Sequence, residues 1–154
     1  MKSNRSNWNL LAYAAALLFV LALPLSPSHA QNRNTVDGLI IDIGIVSAAK
    51  AASDPSQAER FGTHHPSGAQ HLVVSLTDAR SAAHIGDAEV AAEIRDPKGK
   101  VQKKVLGPAI TAGIPDYSAM FVFDWSGKYT IRVFVTPKGG KKPFESRFIW
   151  THAI

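Results

Sequence analysis

Residues 88–106 read AEVAAEIRDPKGKVQKKVL, and this stretch decides the fold class. Apolar or small side chains occupy every second position from 88 to 94, the period-two pattern of a β-strand with one buried face. The DPKG sequence at 96–99 is typical of a β-turn, in which Pro and Gly favour different turn positions. The stretch therefore predicts a β-hairpin whose second strand begins at residue 101.

The same alternation continues on both sides of this hairpin. The predicted strands lie at 39–46, 71–78, 88–95, 101–106, 117–125, 129–135 and 144–150. Turn residues separate them at regular intervals, and alternating rather than continuous apolar runs are typical of sheets with one solvated face. The sequence thus predicts an all-β, seven-stranded antiparallel immunoglobulin-like β-sandwich. We expect a bulge at Gly44, and we expect Phe123, Trp125, Phe148 and Trp150 to lie in the core.

One connection is longer than the others. Residues 47–68 separate the first two predicted strands, and their first part, 47–61, is rich in alanine. Alanine favours helix, so this connection is expected to be a short helix or a long loop. Long connections within tight domains often carry functional residues.

The N-terminus has the three parts of a secretory signal peptide. Lys2 and Arg5 form a basic start, residues 10–23 are an uncharged apolar stretch, and Ser28 and Ala30 are small residues at the −3 and −1 positions. The apolar stretch is shorter than the roughly 20 residues of a spanning helix. We therefore predict a cleavable signal peptide at 1–30, a single β-sandwich domain at 31–154, and a periplasmic or secreted location with membrane contact only during export.

Composition limits the chemistry of the exported domain. The chain has no cysteine, which excludes a lipoprotein anchor, disulfides, thiol catalysis and Cys-ligated metals. The net charge of +5 includes Lys2 and Arg5, which leaves +3 for residues 31–154. The lysine clusters lie in turn-like stretches without interleaved aromatics, so nucleic-acid binding is not expected.

Three histidines lie around the long connection: His64, His65 and His71. His71 is out of phase with Leu72 and its alternating neighbours, so its side chain should point away from the core. Neutral imidazole is a strong ligand for copper, zinc and nickel. Two interpretations stay open: these histidines form a transition-metal site, or they are exposed residues of a polar loop. Met120 is a soft donor in a predicted strand, where a packing role is commoner.

Residues 71–99 (HLVVSLTDARSAAHIGDAEVAAEIRDPKG) and 126–135 (SGKYTIRVFV) also resemble a recurring module of bacterial exported proteins. The similarity is to YtkA-like and related immunoglobulin-like periplasmic domains, and its matching positions are Asp87, Gly99, Gly127 and Tyr129. The resemblance implies a fold, and it implies copper or other metal handling for some members. No ligand motif carries over, because this chain lacks the Met-rich and His-x-Met signatures of periplasmic copper chaperones.

These features predict a non-enzymatic binding or accessory protein of the periplasm. The more specific prediction is that the protein binds a transition metal, with copper favoured, through His64, His65 and His71. The alternative is a protein-interaction module of a cell-envelope assembly without a small ligand. In that case residues 39–46, apolar and lightly charged, would be an open edge strand that pairs with a partner. A hydrolase is not favoured, because no Ser/His/Asp arrangement or nucleophile elbow is visible.

Overall fold

The computed structural model describes residues 32–52, 65–111 and 113–154. The described residues form eight β-strands and one short helix. The elements are β1 (Arg33–Val36), β2 (Leu39–Ser47), α1 (Ala48–Ala52), β3 (Ala69–Asp78), β4 (Glu89–Arg95), β5 (Val101–Thr111), β6 (Ile114–Val122), β7 (Gly127–Thr136) and β8 (Phe144–His152). The predicted signal peptide and His64 lie outside the described residues.

The strands follow the spatial order β1-β2-β3-β6-β5-β4-β7-β8, and every neighbouring pair is antiparallel. Strand β5 belongs to both halves of the sandwich: Val101 to Leu106 pair with β4, and Gly107 to Thr111 pair with β6. The predicted all-β antiparallel sandwich is therefore confirmed. The short helix also lies where it was predicted, between the first and second of the seven predicted strands.

The strand count was one too low. Strand β1 was missed because it is only four residues long and shows a single weak alternation. A local signal for it was present: Asp37 and Gly38 have φ values of 49° and 79°, and they connect β1 to β2 as a two-residue hairpin loop. Such turns require a positive φ at both central residues, and Asp-Gly is favoured there because it tolerates this conformation.

The predicted edge strand at 39–46 was also wrong. Strand β1 pairs with β2 from Leu39 to Asp42, and β3 pairs with β2 along its whole length. Hydrogen-bonding groups in this part of β2 are therefore already used on both sides. The predicted bulge at Gly44 is absent as well, because Gly44 pairs with Val73 in an unbroken register.

The core consists of inward-facing side chains from both halves of the sandwich. Its largest fully buried members include Tyr117, Tyr129, Phe121, Phe123 and Ile41. Trp150 packs against this core and Phe148 belongs to it. Trp125 does not, contrary to the prediction: its surface is 43% exposed, since β6 ends at Val122. The Lys98 ammonium lies 3.0 Å from the centroid of the Trp125 ring, a cation–π contact.

The two outermost strands, β1 and β8, approach each other. The Asn34 side-chain amide donates hydrogen bonds to the Ser146 hydroxyl at 2.9 Å and to the Arg147 carbonyl oxygen at 2.8 Å. These bonds join the ends of the strand order and cover part of each exposed strand edge. Within the described residues, no helix has the length and apolar character needed to cross a membrane.

Candidate metal-binding site

His71 lies near the start of β3, on the outer face of the sheet. Leu72, Val74 and Leu76 belong to the core, and His71 occupies the opposite phase of the strand, as predicted. The sequence did not predict its burial: only 3% of the residue surface is exposed. His71 is thus a polar side chain that is covered outside the apolar core.

His65 lies against His71. The centroids of the two imidazole rings are 5.7 Å apart, and the ring planes meet at 88°, an edge-on arrangement. These two of the three predicted ligands are therefore neighbours, although five residues separate them in the chain.

The turn before β3 brings His65 to this position. The Ala69 amide donates to the Pro66 carbonyl oxygen at 3.1 Å, and the Phe123 amide donates to the Gly68 carbonyl oxygen at 2.8 Å. Gly68 has a φ of 72°, and a Cβ at this position would lie 3.0 Å from the Phe123 carbonyl oxygen. Only glycine fits this backbone conformation and close approach without strain. The turn is thereby fixed against the end of β6.

Met120 is the direct cross-strand partner of His71. The β3–β6 register pairs these two residues, and the β2–β3 register pairs His71 with Val46 on the other side. Tyr117 and Phe121 of β6 face the core, so Met120 projects from the outer face beside His71. The sequence indicates Met120 as a soft donor, but no local pattern in it pairs β3 with β6.

A pocket of about 490 Å³ lies next to this cluster, and His65 and His152 both line it. His152 is half-buried near the C-terminus, and its ring contacts those of Phe123 and Tyr129. The Gln70 side-chain nitrogen lies 3.5 Å from His152 Nδ1. A second imidazole therefore borders the space in front of His65.

His84, the remaining histidine among the described residues, lies away from this cluster. It is exposed in the connection before β4, and its Nδ1 is 3.2 Å from the Thr77 hydroxyl oxygen. Among the described residues, no three His, Cys, Asp or Glu side chains are arranged to hold one metal ion. The donor set described here is therefore two imidazoles with a neighbouring thioether.

The carboxylates of β4 do not form an acid–base pair. Glu93 accepts a hydrogen bond from Arg132 at 3.1 Å, and Glu145 accepts one from the same guanidinium at 2.7 Å. These bonds raise the pKa of Arg132 and lower the pKa of Glu145, because each ion stabilises its partner's charged form. Glu89 is exposed at the start of the strand. Arg132 of β7 therefore links Glu93 of β4 to Glu145 of β8.

No protein-family model matches this sequence, and no curated protein matches it. Solved structures are similar in fold. FetP of uropathogenic Escherichia coli strain F11, expressed in the periplasm, is 15% identical with a TM-score of 0.63, over 80% of this chain and 94% of FetP. Copper-reconstituted P19 of Campylobacter jejuni is 13% identical with a TM-score of 0.63, over 80% of this chain and 94% of P19.

A third similar structure is a DUF4426 family protein of Pseudomonas aeruginosa PAO1. It is 15% identical with a TM-score of 0.62, over 80% of this chain and 97% of that protein. At such identities the comparison shows a shared fold and nothing more specific. The resemblance to YtkA-like domains in particular stays a prediction.

Proposed function

We propose that this protein is a non-enzymatic, exported β-sandwich protein that binds copper through His65 and His71, with His64 as the third ligand. The observation that carries the proposal is the contact between the His65 and His71 rings, whose centroids are 5.7 Å apart. His64 precedes His65 directly in the chain, and the proposal includes it as a ligand on that ground.

The ring separation suits shared ligation of one ion. Metal–nitrogen bonds of about 2 Å, extended by the ring radius of roughly 1 Å, place two ligating imidazole centroids about 5–6 Å apart. Neutral imidazole is a good ligand for copper. His71 is nearly fully covered, so its orientation is held by the surrounding sheet rather than by solvent.

The fold comparison supports copper as the ion and the periplasm as the location. P19, which has a similar fold, was crystallised with copper restored, and FetP was produced in the periplasm. The N-terminal residues of this chain independently have the composition of an export signal. In this proposal the protein holds or delivers a metal ion, and no bond of a substrate is made or broken.

A titration of the protein with Cu(II) at neutral pH tests the proposal. We expect one strong site in the wild type, and an affinity at least about tenfold lower, or some 1.4 kcal/mol weaker, when His64, His65 and His71 are all changed to Ala. His84→Ala is the matched control, because His84 is exposed and lies outside this cluster. Equal affinity of the wild type and the triple variant would rule out this site.

A further inference from the structure

We infer that the thioether of Met120 is a ligand of the same site, and that the site therefore prefers Cu(I) to Cu(II). This inference rests on the proposed function and adds the oxidation state of the ion that the site takes. It starts from one juxtaposition that the fold creates: Met120 of β6 lies directly opposite His71 of β3.

The strand register puts the two side chains on the same face. Directly opposed residues in an antiparallel pair have Cβ atoms about 4.5–5.5 Å apart. Inward-facing Tyr117 and Phe121 fix the phase of β6, so Met120 points outward, as His71 does. Met has three rotatable side-chain bonds, which give its sulfur the freedom to turn toward an ion held by His71.

Met120 is not part of the hydrophobic core. The residue is absent from the hydrophobic core and from the partly buried residues that pack on it, and it is half-buried on the outer face. Its cross-strand partner is a nearly fully covered histidine rather than an apolar side chain. A thioether next to two imidazoles is instead a mixed sulfur–nitrogen donor set.

This donor set favours the monovalent ion. Thioether and thiolate sulfur are soft ligands that select Cu(I), whereas imidazole accepts both oxidation states of copper as well as zinc. The surroundings act in the same direction. Val46, an apolar residue, flanks His71 on β2. Transfer of a monovalent ion into such surroundings costs less desolvation free energy than transfer of a divalent ion.

The composition makes the sulfur easy to identify. The chain has two methionines, Met1 and Met120, and no cysteine. A copper–sulfur distance in the X-ray absorption spectrum of the Cu(I)-loaded protein can therefore come from one of two residues. Comparison of the wild type with Met120→Leu, which keeps Met1, separates them.

The experiment measures the affinity of the full chain for Cu(I), by competition with a chromophoric chelator under anaerobic reducing conditions, and for Cu(II) in air. We expect Met120→Leu to lower Cu(I) affinity by about tenfold or more, the size of one lost ligand contact, and to change Cu(II) affinity by less than about threefold. Val122→Leu is the matched control, since Val122 faces outward on the same strand but lies opposite Ala69. The copper–sulfur signal should be present in the wild type and the control and absent from Met120→Leu.

The possible failures are distinct. Unchanged Cu(I) affinity in Met120→Leu, an equal fall for both ions, or the absence of a copper–sulfur signal from wild-type protein would overturn this inference and leave the histidine site standing. A wild type that binds neither ion would overturn the proposed function together with it. The absorption spectrum of the wild type decides the question even if Met120→Leu fails to fold.

Discussion

Two buried tyrosines show how single side chains hold this core. The Tyr117 hydroxyl accepts a hydrogen bond from the Ala88 amide at 2.9 Å and donates to the Ile85 carbonyl oxygen at 3.2 Å. The Tyr129 hydroxyl accepts from the Trp125 amide and donates to the Trp125 carbonyl oxygen, both at 3.0 Å. Each ring therefore packs in the core while its hydroxyl group forms hydrogen bonds with backbone groups of a connecting loop. Burial raises the pKa of both phenols, since it disfavours the charged phenolate.

Tyr117→Phe should destabilise the protein by about 1–3 kcal/mol, because it leaves the Ala88 amide and the Ile85 carbonyl oxygen without their hydrogen-bond partner. Urea denaturation at pH 7 measures this difference. A variant as stable as the wild type would mean that water replaces the hydroxyl at both groups.

The same tyrosine predicts a pH dependence. Its native pKa lies above the unfolded value of about 10, so its contribution is fully present below pH 10 and is lost as the pH rises through the native pKa. The wild type should therefore lose more stability than Tyr117→Phe as the pH rises above about 10. Parallel curves for the two proteins would contradict the assignment.

The turn of the β4–β5 hairpin is determined by its local sequence. The Asp96 carboxylate accepts hydrogen bonds from the amides of Lys98 at 2.9 Å and Lys100 at 2.8 Å, and Gly99 has a φ of 89°. Because these contacts lie within five residues, the DPKG sequence was sufficient to predict the turn. Asp37-Gly38 carries a comparable signal, and it would have revealed β1.

Glycine-to-alanine changes separate backbone strain from packing. A Cβ at Gly99 or at Gly44 would meet nothing within 4 Å, but only Gly99 has a positive φ. Gly99→Ala should cost about 1–2 kcal/mol of stability through the left-handed backbone alone. Gly44→Ala is the matched control and should be neutral or slightly stabilising, since alanine restricts the unfolded chain. Equal midpoints of thermal unfolding for the two variants would contradict this account.

The molecule as a whole combines two halves of a sandwich through one shared strand. Strand β5 exchanges its partner β4 for β6 after Leu106, and Asn34 links β1 to β8 across the far ends of the order. The described structure holds together without disulfides, since the chain has no cysteine. A domain without disulfides depends on its apolar core for stability.

The proposed export signal makes a prediction about the whole chain. The protein recovered from the periplasm should have the mass of residues 31–154, because small residues at positions −3 and −1 permit cleavage after Ala30. Ala30→Arg should leave the precursor uncut, whereas His29→Arg, at the −2 position, should be processed normally. Intact-mass spectrometry distinguishes the products, and a mature N-terminus other than Gln31 would refute the assigned site.

Local pattern by itself determined seven of the strands, the hairpin at 96–99 and the outward direction of His71. Alternation and turn preferences depend on residues that are close together in the chain, so they can be recognised in the sequence alone. Tertiary structure alone decided that β3 lies beside β6, that Met120 therefore lies opposite His71, and that the His65 ring lies against the His71 ring. Trp125 lies outside the core because β6 ends before it, and the position at which a strand ends depends on the strands that pair with it. Pairing between strands distant in the chain is set by the packing of the entire core, and no local pattern encodes it.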